Sequence, residues 1–426
     1  MVAGLTRDEP VGVEGLDGRV DGAAPARSIL LVAPSWPHPP TWGFATRVYN
    51  LARQLSARHH VTLLAYGAGA GDVTAATNGA GPIFQSVEFV PHPAATRSKR
   101  RAQATSLLSS RSYHVGGLRS ASMEAAFERL LSERSFDLVQ VESSQMALSR
   151  SGSGIPFVLD EHNIEYLLLR RLAEVESSPD RKAFGYVEAA KVRREEVQAW
   201  RHCDGAVFTC EADLGVMRAA FPEKPACVVP NGVDAEYFSP THDEPEPSTV
   251  VFTGSINYRP NTDAVAYFIK EVMPRLLRLK PSARFVVVGQ GAPDSLLRMA
   301  DANVEFTGAV PDVRPYLARA AVVIAPLRVG SGTRLKILEA LAMGKPVVTT
   351  TIGCEGLSVV DGEHLMVADD PQPFAEVVAR VMSDRELATQ LGRTGRELIE
   401  RDYSWSVVVQ HLERFHTQLI SKETRV

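Results

Sequence analysis

The sequence predicts an α/β protein made of two parallel-sheet domains, each sheet buried on both faces by crossover helices. Three observations lead there. At 426 residues the chain exceeds what one hydrophobic core serves, so it divides into two units of ordinary size. Short apolar runs alternate throughout with helix-period segments, the pattern of parallel strands covered on both sides. Midway, Pro230-Asn-Gly-Val-Asp234 turns the chain, and Ser239 to Ser248, rich in proline and acid, reads as a linker.

Taken in order, residues 1–26 carry Asp8, Glu9, Glu14, Asp17 and Asp21 among glycines, without the basic start and apolar stretch of a secretory signal. A disordered tail is expected there. The first domain, 27–238, places strands at Ser28 to Ala33, Val61 to Tyr66, Val87 to Val90, Asp137 to Val141, Pro156 to Asp160 and Ala206 to Thr209, with a helix from about Phe44 to Arg58 between the first two. After the linker 239–248, the second domain, 249–402, repeats the architecture. Its strands are Thr249 to Thr253, Arg284 to Gly289, Asn303 to Phe306, Ala321 to Ala325, Pro346 to Thr350 and Leu365 to Ala368. The segment 403–420 closes the chain: Val408, Leu412, Phe415 and Leu419 form an apolar stripe on a helix from Ser406 to Ile420, expected to pack near the domain junction. Two Rossmann-like units facing each other leave a cleft at the carboxyl ends of both sheets, with an acceptor on the first wall and a donor on the second.

Composition narrows the function classes. Net charge is −4 with 45% apolar residues, so no bulk basic field exists for nucleic acid. No run approaches the roughly 18 apolar residues of a membrane helix, and a cytoplasmic protein, at most peripheral to the inner face of the membrane, is expected. The one basic stretch, Arg97, Lys99, Arg100, Arg101, Arg111 and Arg119, suits an anionic lipid surface or a solvated loop. Cys203, Cys210, Cys227 and Cys354 show no metal-ligand spacing and read as reduced, buried thiols; no metal is expected. Gly289-Gln-Gly291 imitates a dinucleotide fingerprint, but its third glycine position is Asp294, which argues against NAD. Glu188 to Glu196, with Lys191, Arg193 and Arg194, reads as a charged helix face and nothing more.

Residues 326–346, Pro-Leu-Arg-Val-Gly-Ser-Gly-Thr-Arg-Leu-Lys-Ile-Leu-Glu-Ala-Leu-Ala-Met-Gly-Lys-Pro, carry the strongest chemical signal. Gly330, Ser331 and Gly332 let backbone approach a ligand, and Ser331 or Thr333 caps a helix running to about Met343. The unpaired N–H groups of its first turn and the positive end of its dipole form an anion site, reinforced by the Arg334 fork and the Lys336 ammonium. Lys336 and Glu339 share a face, about 4.5 Å apart along the axis. A diphosphate at one end and a hydroxylated ring at the other fit that spacing, as in a nucleotide-sugar.

The order of Gly43 after the first strand, Pro230-Asn-Gly-Val-Asp with Tyr237-Phe238, Phe252-Thr-Gly-Ser255, Val288-Gly-Gln-Gly291, Gly308 followed by Val310, and the 326–346 segment resembles the family 4 glycosyltransferases of GT-B fold. The resemblance spans 28–420 and implies metal-independent transfer of a sugar from a nucleotide-diphosphate sugar to an acceptor hydroxyl, with retention of configuration and no cofactor. The acceptor it implies is a glycan, a lipid-linked sugar or a small metabolite. Arg334 and Lys336 match positions that neutralise the donor diphosphate. Glu339 matches the second acid of the family's E-x7-E pattern, expected on the ribose, while Ser331 stands at the first acid. Gly330 to Thr333 must then hold the sugar, and Ser255 and Val310 fall where backbone meets donor. In Asp160-Glu-His-Asn-Ile-Glu165, His162 resembles the active-site histidine of the first domain, with Asp160 and Glu165 orienting it or meeting the acceptor. Gly43 brings a helix start to the transferring sugar, and Arg47 faces a charged acceptor or solvent. Two alternatives share the fold: an epimerase of UDP-sugars, and a nucleotide-sugar-binding subunit without turnover.

Overall fold

The computed structural model describes residues 25–40, 42–67, 83–93, 106–107, 109–113, 118, 120–147, 154–241, 243–330 and 334–423. All but two residues of the expected tail lie outside this set. So do Arg97, Lys99, Arg100, Arg101 and Arg119 of the basic stretch.

Among the described residues seven strands form the first sheet: β1 Ser28–Ala33, β2 His60–Gly67, β3 Ser86–Pro91, β4 Leu138–Glu142, β5 Phe157–Glu161, β6 Gly205–Phe208 and β7 Ala226–Val228. They are parallel, in the order β3-β2-β1-β4-β5-β6-β7. The second sheet comprises β8 Thr249–Thr253, β9 Arg284–Val288, β10 Val304–Gly308, β11 Val322–Ala325, β12 Val347–Thr349 and β13 Met366–Val367, ordered β10-β9-β8-β11-β12-β13 and again parallel. Strand order reverses between β1 and β4 in one sheet and between β8 and β11 in the other. Open α/β sheets gather ligands beside such reversals, outside the strand carboxyl ends.

Twelve of these strands fall within two residues of their sequence-based positions. Only β7 was missed. Three residues behind Phe221-Pro-Glu-Lys-Pro225 are too few to show a period, and their side chains are only half-buried.

Each sheet carries apolar side chains to both faces, giving two packed layers per domain. Ile29, Leu31, Leu63, Leu138 and Val158 form one layer of the first sheet, and the cover over it comes from both ends of the chain. The helix Gly43–Ser56 supplies Leu51, Ala52 and Leu55; the helix Trp405–Glu423 supplies Trp405, Val408, Leu412, Phe415 and Leu419. The final helix thus packs on the sheet of the first domain, with its start beside Gly232 and Val233. Its return strand passes beside the outgoing one: Val233 N–H donates to the Tyr403 carbonyl at 2.8 Å, and Trp405 N–H donates back to Val233 at 3.3 Å. Gly205 makes room for the helix, since a β-carbon there would lie 2.7 Å from both Phe415 and Leu419. Gly205→Ala is therefore expected to cost about 1–3 kcal/mol through overpacking, measured as a lower melting temperature with unchanged secondary structure.

Candidate active site

Both helix starts predicted to serve ligand meet across the cleft. Gly43 opens its helix directly after the β1 loop, as expected, and a β-carbon on it would sit 3.8 Å from Leu335 Cδ1 of the second domain. Leu335 is the first residue of the helix Leu335–Ala342. That helix starts later than the sequence suggested: Arg334, at φ −89° and ψ 95°, occupies the N-cap position, and its own side chain makes no cap hydrogen bond. The N–H groups of Leu335 and Lys336 belong to the first turn and have no intrahelical carbonyl to bond. Ser331, Gly332 and Thr333 lie outside the described residues.

Gly330 takes φ 149°, and a β-carbon on it would lie 2.5 Å from Arg334 Nη2, so the guanidinium folds back over the glycine. Burial pulls the Arg334 pKa below the usual guanidinium range, opposed by Tyr258, Glu355 and Asp213 nearby. A second arginine enters from the first domain. Arg171, on the helix Glu165–Glu174, donates to the Gly330 carbonyl at 2.7 Å and to both oxygens of Glu355 at 2.7 and 2.8 Å. It fastens the glycine loop to the opposite wall.

Lys336 lies over the Phe252 ring, Nζ 3.9 Å from its centroid, and donates to the neutral Asn261 Oδ1 at 2.7 Å. Among the described residues it makes no ion pair. Burial, with Arg334 adding to it, brings Lys336 down to about 7. Glu339, three residues on, is pushed up to about 7 by burial, with the Lys336 charge pulling the other way. Asn261 in turn donates through Nδ2 to the Ser255 carbonyl at 2.8 Å, tying Ser255 to the ammonium. Gly254 and Gly289, at φ 144° and 146°, allow the ends of β8 and β9 to touch: a β-carbon on Gly289 would lie 1.8 Å from the Gly254 carbonyl oxygen. Val310 follows β10 at the same sheet edge, with its side chain half-buried against the core beneath.

On the facing wall, His162 follows β5. Its Nε2 lies 2.8 Å from Glu142 Oε2, and its ring stacks on Phe44 with centroids 4.6 Å apart. Trp42, 49% exposed, stacks on Phe44 in turn. The neighbouring acids take other partners. Asp160 is fully buried in a bidentate pair with Arg47, at 2.9 and 3.1 Å. Arg47 also donates to the Pro230 carbonyl and Asn231 Oδ1, both at 3.1 Å. Hence Arg47 meets neither acceptor nor solvent, and Asp160 touches neither the His162 ring nor an acceptor. Glu161 accepts from Trp200 Nε1 at 2.8 Å and burial pushes it up to about 8. Glu165 stays near His162, with burial raising its pKa. Donor atoms of Glu142, Asp160 and His162 fall within 4.8 Å of one another, but the Arg47 guanidinium already supplies the cation beside them.

The helix Pro179–His202 corrects another expectation. Glu188 and Glu196 are each 1% exposed. Glu188 accepts from Ser106 Oγ and the Tyr113 N–H at 3.1 and 2.7 Å, while Glu196 accepts the Glu165 and Tyr166 N–H groups at 2.8 and 3.0 Å and caps the helix behind His162. The four cysteines form no disulfide; Cys203 and Cys210 are buried, Cys227 and Cys354 half-buried. Sequence reasoning missed Asn261, Glu142 and Arg171. Glu142 left only a local trace, the second of two polar residues at alternate positions, Gln140 and Glu142, in an otherwise apolar strand.

Comparison with known proteins identifies the family and the fold. Residues 43–237 match the family model described as Glycosyltransferase Family 4, and residues 247–384 match the one described as Glycosyl transferases group 1. A GDP-mannose-dependent monoacylated alpha-(1-6)-phosphatidylinositol monomannoside mannosyltransferase of Corynebacterium glutamicum is 25% identical over 244 residues, 52% of this chain and 63% of that protein. A glycogen synthase of Mycobacterium tuberculosis is 27% identical over 243 residues, 53% and 57% of the two chains. The matched stretch spans between 55% and 63% of the first three curated relatives. Among solved structures, sucrose-phosphate synthase from Thermosynechococcus elongatus superposes with a TM-score of 0.65 at 16% identity, over 93% of this chain and all of the other. Anabaena HepE in complex with UDP gives 0.67 at 15%, over 92% and 100%. Both halves of the chain, each matched by its own family model and joined in two facing parallel sheets, make this protein a member of the family 4 glycosyltransferases with the GT-B fold.

Proposed function

We propose that this protein is a retaining glycosyltransferase that moves a sugar from a nucleotide-diphosphate sugar to an acceptor hydroxyl. One observation carries the reading: at a helix start facing the cleft, a desolvated ammonium has a neutral amide and an aromatic face for company and, among the described residues, no carboxylate in ion-pair contact. Such a cation is short of negative charge, and a diphosphate supplies it. Lys336, Arg334 and the first-turn amides hold the diphosphate; Glu339 accepts from ribose hydroxyls; His162 and the Gly43 helix start serve the transferring sugar and the acceptor. As the glycosidic bond breaks, charge grows on the departing diphosphate, so these donors bind the transition state more tightly than the ground state. With no side-chain nucleophile assigned, the acceptor hydroxyl attacks from the face the diphosphate leaves, and the diphosphate takes its proton. The acceptor belongs to the class of glycans, lipid-linked sugars or small hydroxylated metabolites. Among the described residues no helix is long and apolar enough to cross a membrane, and a lipid-linked acceptor would be reached from the surface.

The test is incubation with UDP-, GDP-, ADP- and TDP-sugars, with and without acceptors. Nucleotide release that depends on acceptor supports transfer; exchange of epimers without acceptor overturns it. Proton linkage gives a second check. Above about pH 7 Lys336 is largely neutral, and binding a nucleoside diphosphate must charge it, so protons are taken up and affinity falls as pH rises. Below about pH 7 Glu339 is largely protonated, and engaging a ribose as carboxylate releases protons. Affinity should therefore peak near pH 7. Calorimetry in buffers of different ionisation enthalpy is expected to show uptake approaching one proton per site at about pH 8. The same proton count on both sides of neutrality would remove Lys336 and Glu339 from the site.

A further inference from the structure

A buried hydrogen-bonded line runs along one face of the first sheet, from the last helix to the cleft. His416, on that helix, lies 2.9 Å from Gln140 Oε1; Gln140 Nε2 donates to Glu142 Oε1 at 2.8 Å; Glu142 Oε2 lies 2.8 Å from His162 Nε2. Gln140, Glu142 and His416 are each at most 2% exposed. Side chains at alternate strand positions share a face, which is why Gln140 and Glu142 stand in file on β4, with Asp160 opposite Glu142 in register.

The line has a direction. His416 Nδ1 is buried without a partner among the described residues. A proton there would orphan an N–H, whereas a proton on Nε2 orphans only a lone pair, the cheaper state. Burial holds this ring neutral, its pKa pulled down to about 3. His416 Nε2–H therefore donates to Gln140 Oε1, which turns the amide so that its nitrogen faces Glu142. Burial and the Asp160 charge push the Glu142 pKa up, while the His162 hydrogen bond and the Arg47 charge favour the carboxylate; in that form both oxygens act as acceptors, one toward Gln140 and the other toward His162. Phe44, stacked on the ring, fixes the imidazole plane.

We infer that Glu142 is a positioning residue: it sets the His162 tautomer with the proton on Nε2, so that Nδ1 is the nitrogen offered to the ligand. The inference rests on the proposed role of His162 in the cleft. It adds the element that selects which face of the ring chemistry the ligand meets, and it traces that selection back to the final helix. Buried second partners of this kind fix ring orientation and protonation in other histidine sites.

The isosteric change Glu142→Gln tests it sharply. With the amide of Gln140 still pointing its nitrogen inward, the new side chain must accept through its oxygen and present its own nitrogen to His162. That reverses the tautomer to Nδ1–H. Selective ¹⁵N-histidine labelling distinguishes the two tautomers by nitrogen shift, the His162 signal being identified by its loss in His162→Gln. The expected result is Nε2–H in the wild type and Nδ1–H in Glu142→Gln. Turnover should fall about 10²-fold, with the donor KM within about twofold, and Glu142→Asp should restore at least a tenth of the wild-type rate. An unchanged tautomer in Glu142→Gln, or a loss that Glu142→Asp does not relieve, overturns the inference. A wild type that releases nucleotide from no donor overturns the function proposed above instead, and the tautomer spectrum then decides on Glu142 alone.

Discussion

Lys336→Ala is expected to lower the rate of sugar transfer by about 10²–10³-fold while leaving the folded state as stable as before or more so. The two effects have opposite causes at one atom. In the unliganded protein the ammonium is desolvated over Phe252, bonded to the neutral Asn261 and close to the Arg334 charge, so its removal relieves an unfavourable burial. Alanine also suits the second position of a helix whose other residues, Ile337, Leu338, Ala340 and Leu341, hold it in the core. During transfer the same ammonium meets growing negative charge in a site with little water, where a preorganised charge counts most. Lys336→Met, which keeps the stem over Phe252, should share the loss of rate. The measurements are steady-state nucleotide release and thermal unfolding of the same preparations. Turnover within about threefold of wild type in a folded Lys336→Ala protein would end the assignment of the diphosphate to this helix.

Arg47→Met is expected to cost about 3–5 kcal/mol, lowering the melting temperature of the first domain by on the order of 10 °C. Arg47 and Asp160 are both fully buried, and the guanidinium also satisfies the Pro230 carbonyl and Asn231. Without it, Asp160 is left uncompensated beside the Glu142 carboxylate, two buried like charges at neighbouring strand ends. Asp160→Leu combined with Arg47→Met removes both charges and should recover much of the loss, since a buried pair replaced whole by apolar groups is often nearly neutral. Differential scanning calorimetry of the two single variants and the double separates these terms. If Arg47→Met melts within about 2 °C of wild type, the pair is not what anchors the β1 loop helix to β5 and to the Pro230 turn.

The outline of the fold was legible because buried parallel strands are written as short, almost uninterrupted apolar runs, and β1 and β8 were placed to the residue. The helix start at 326–346 was legible for a different reason: glycines followed by Arg334 and Lys336 announce an anion site through local chemistry alone. Partners brought together by tertiary packing were not. Nothing in the spacing of Arg47 and Asp160, 113 residues apart, says that they pair, so Arg47 looked like a residue for ligand or solvent. Glu188 and Glu196 read as only a charged face because a run of charge on a helix does not reveal that backbone donors from elsewhere will cover it. Glu142 and Asn261 escaped because each acts on a neighbour in space, and neither belongs to a sequence signature.

The late return of the chain shapes how this protein is made. The last helix covers a sheet laid down at the very start, and His416 reaches back 276 residues to Gln140. While a ribosome is still synthesising the second domain, the earlier one has emerged with the layer of Ile29, Leu31 and Leu63 covered only in part, by the helix Gly43–Ser56, and with Gln140 lacking its imidazole partner. Its consolidation waits for the final twenty or so residues, so nascent chains stalled short of Trp405 should be held by chaperones or degraded, however complete their other domain.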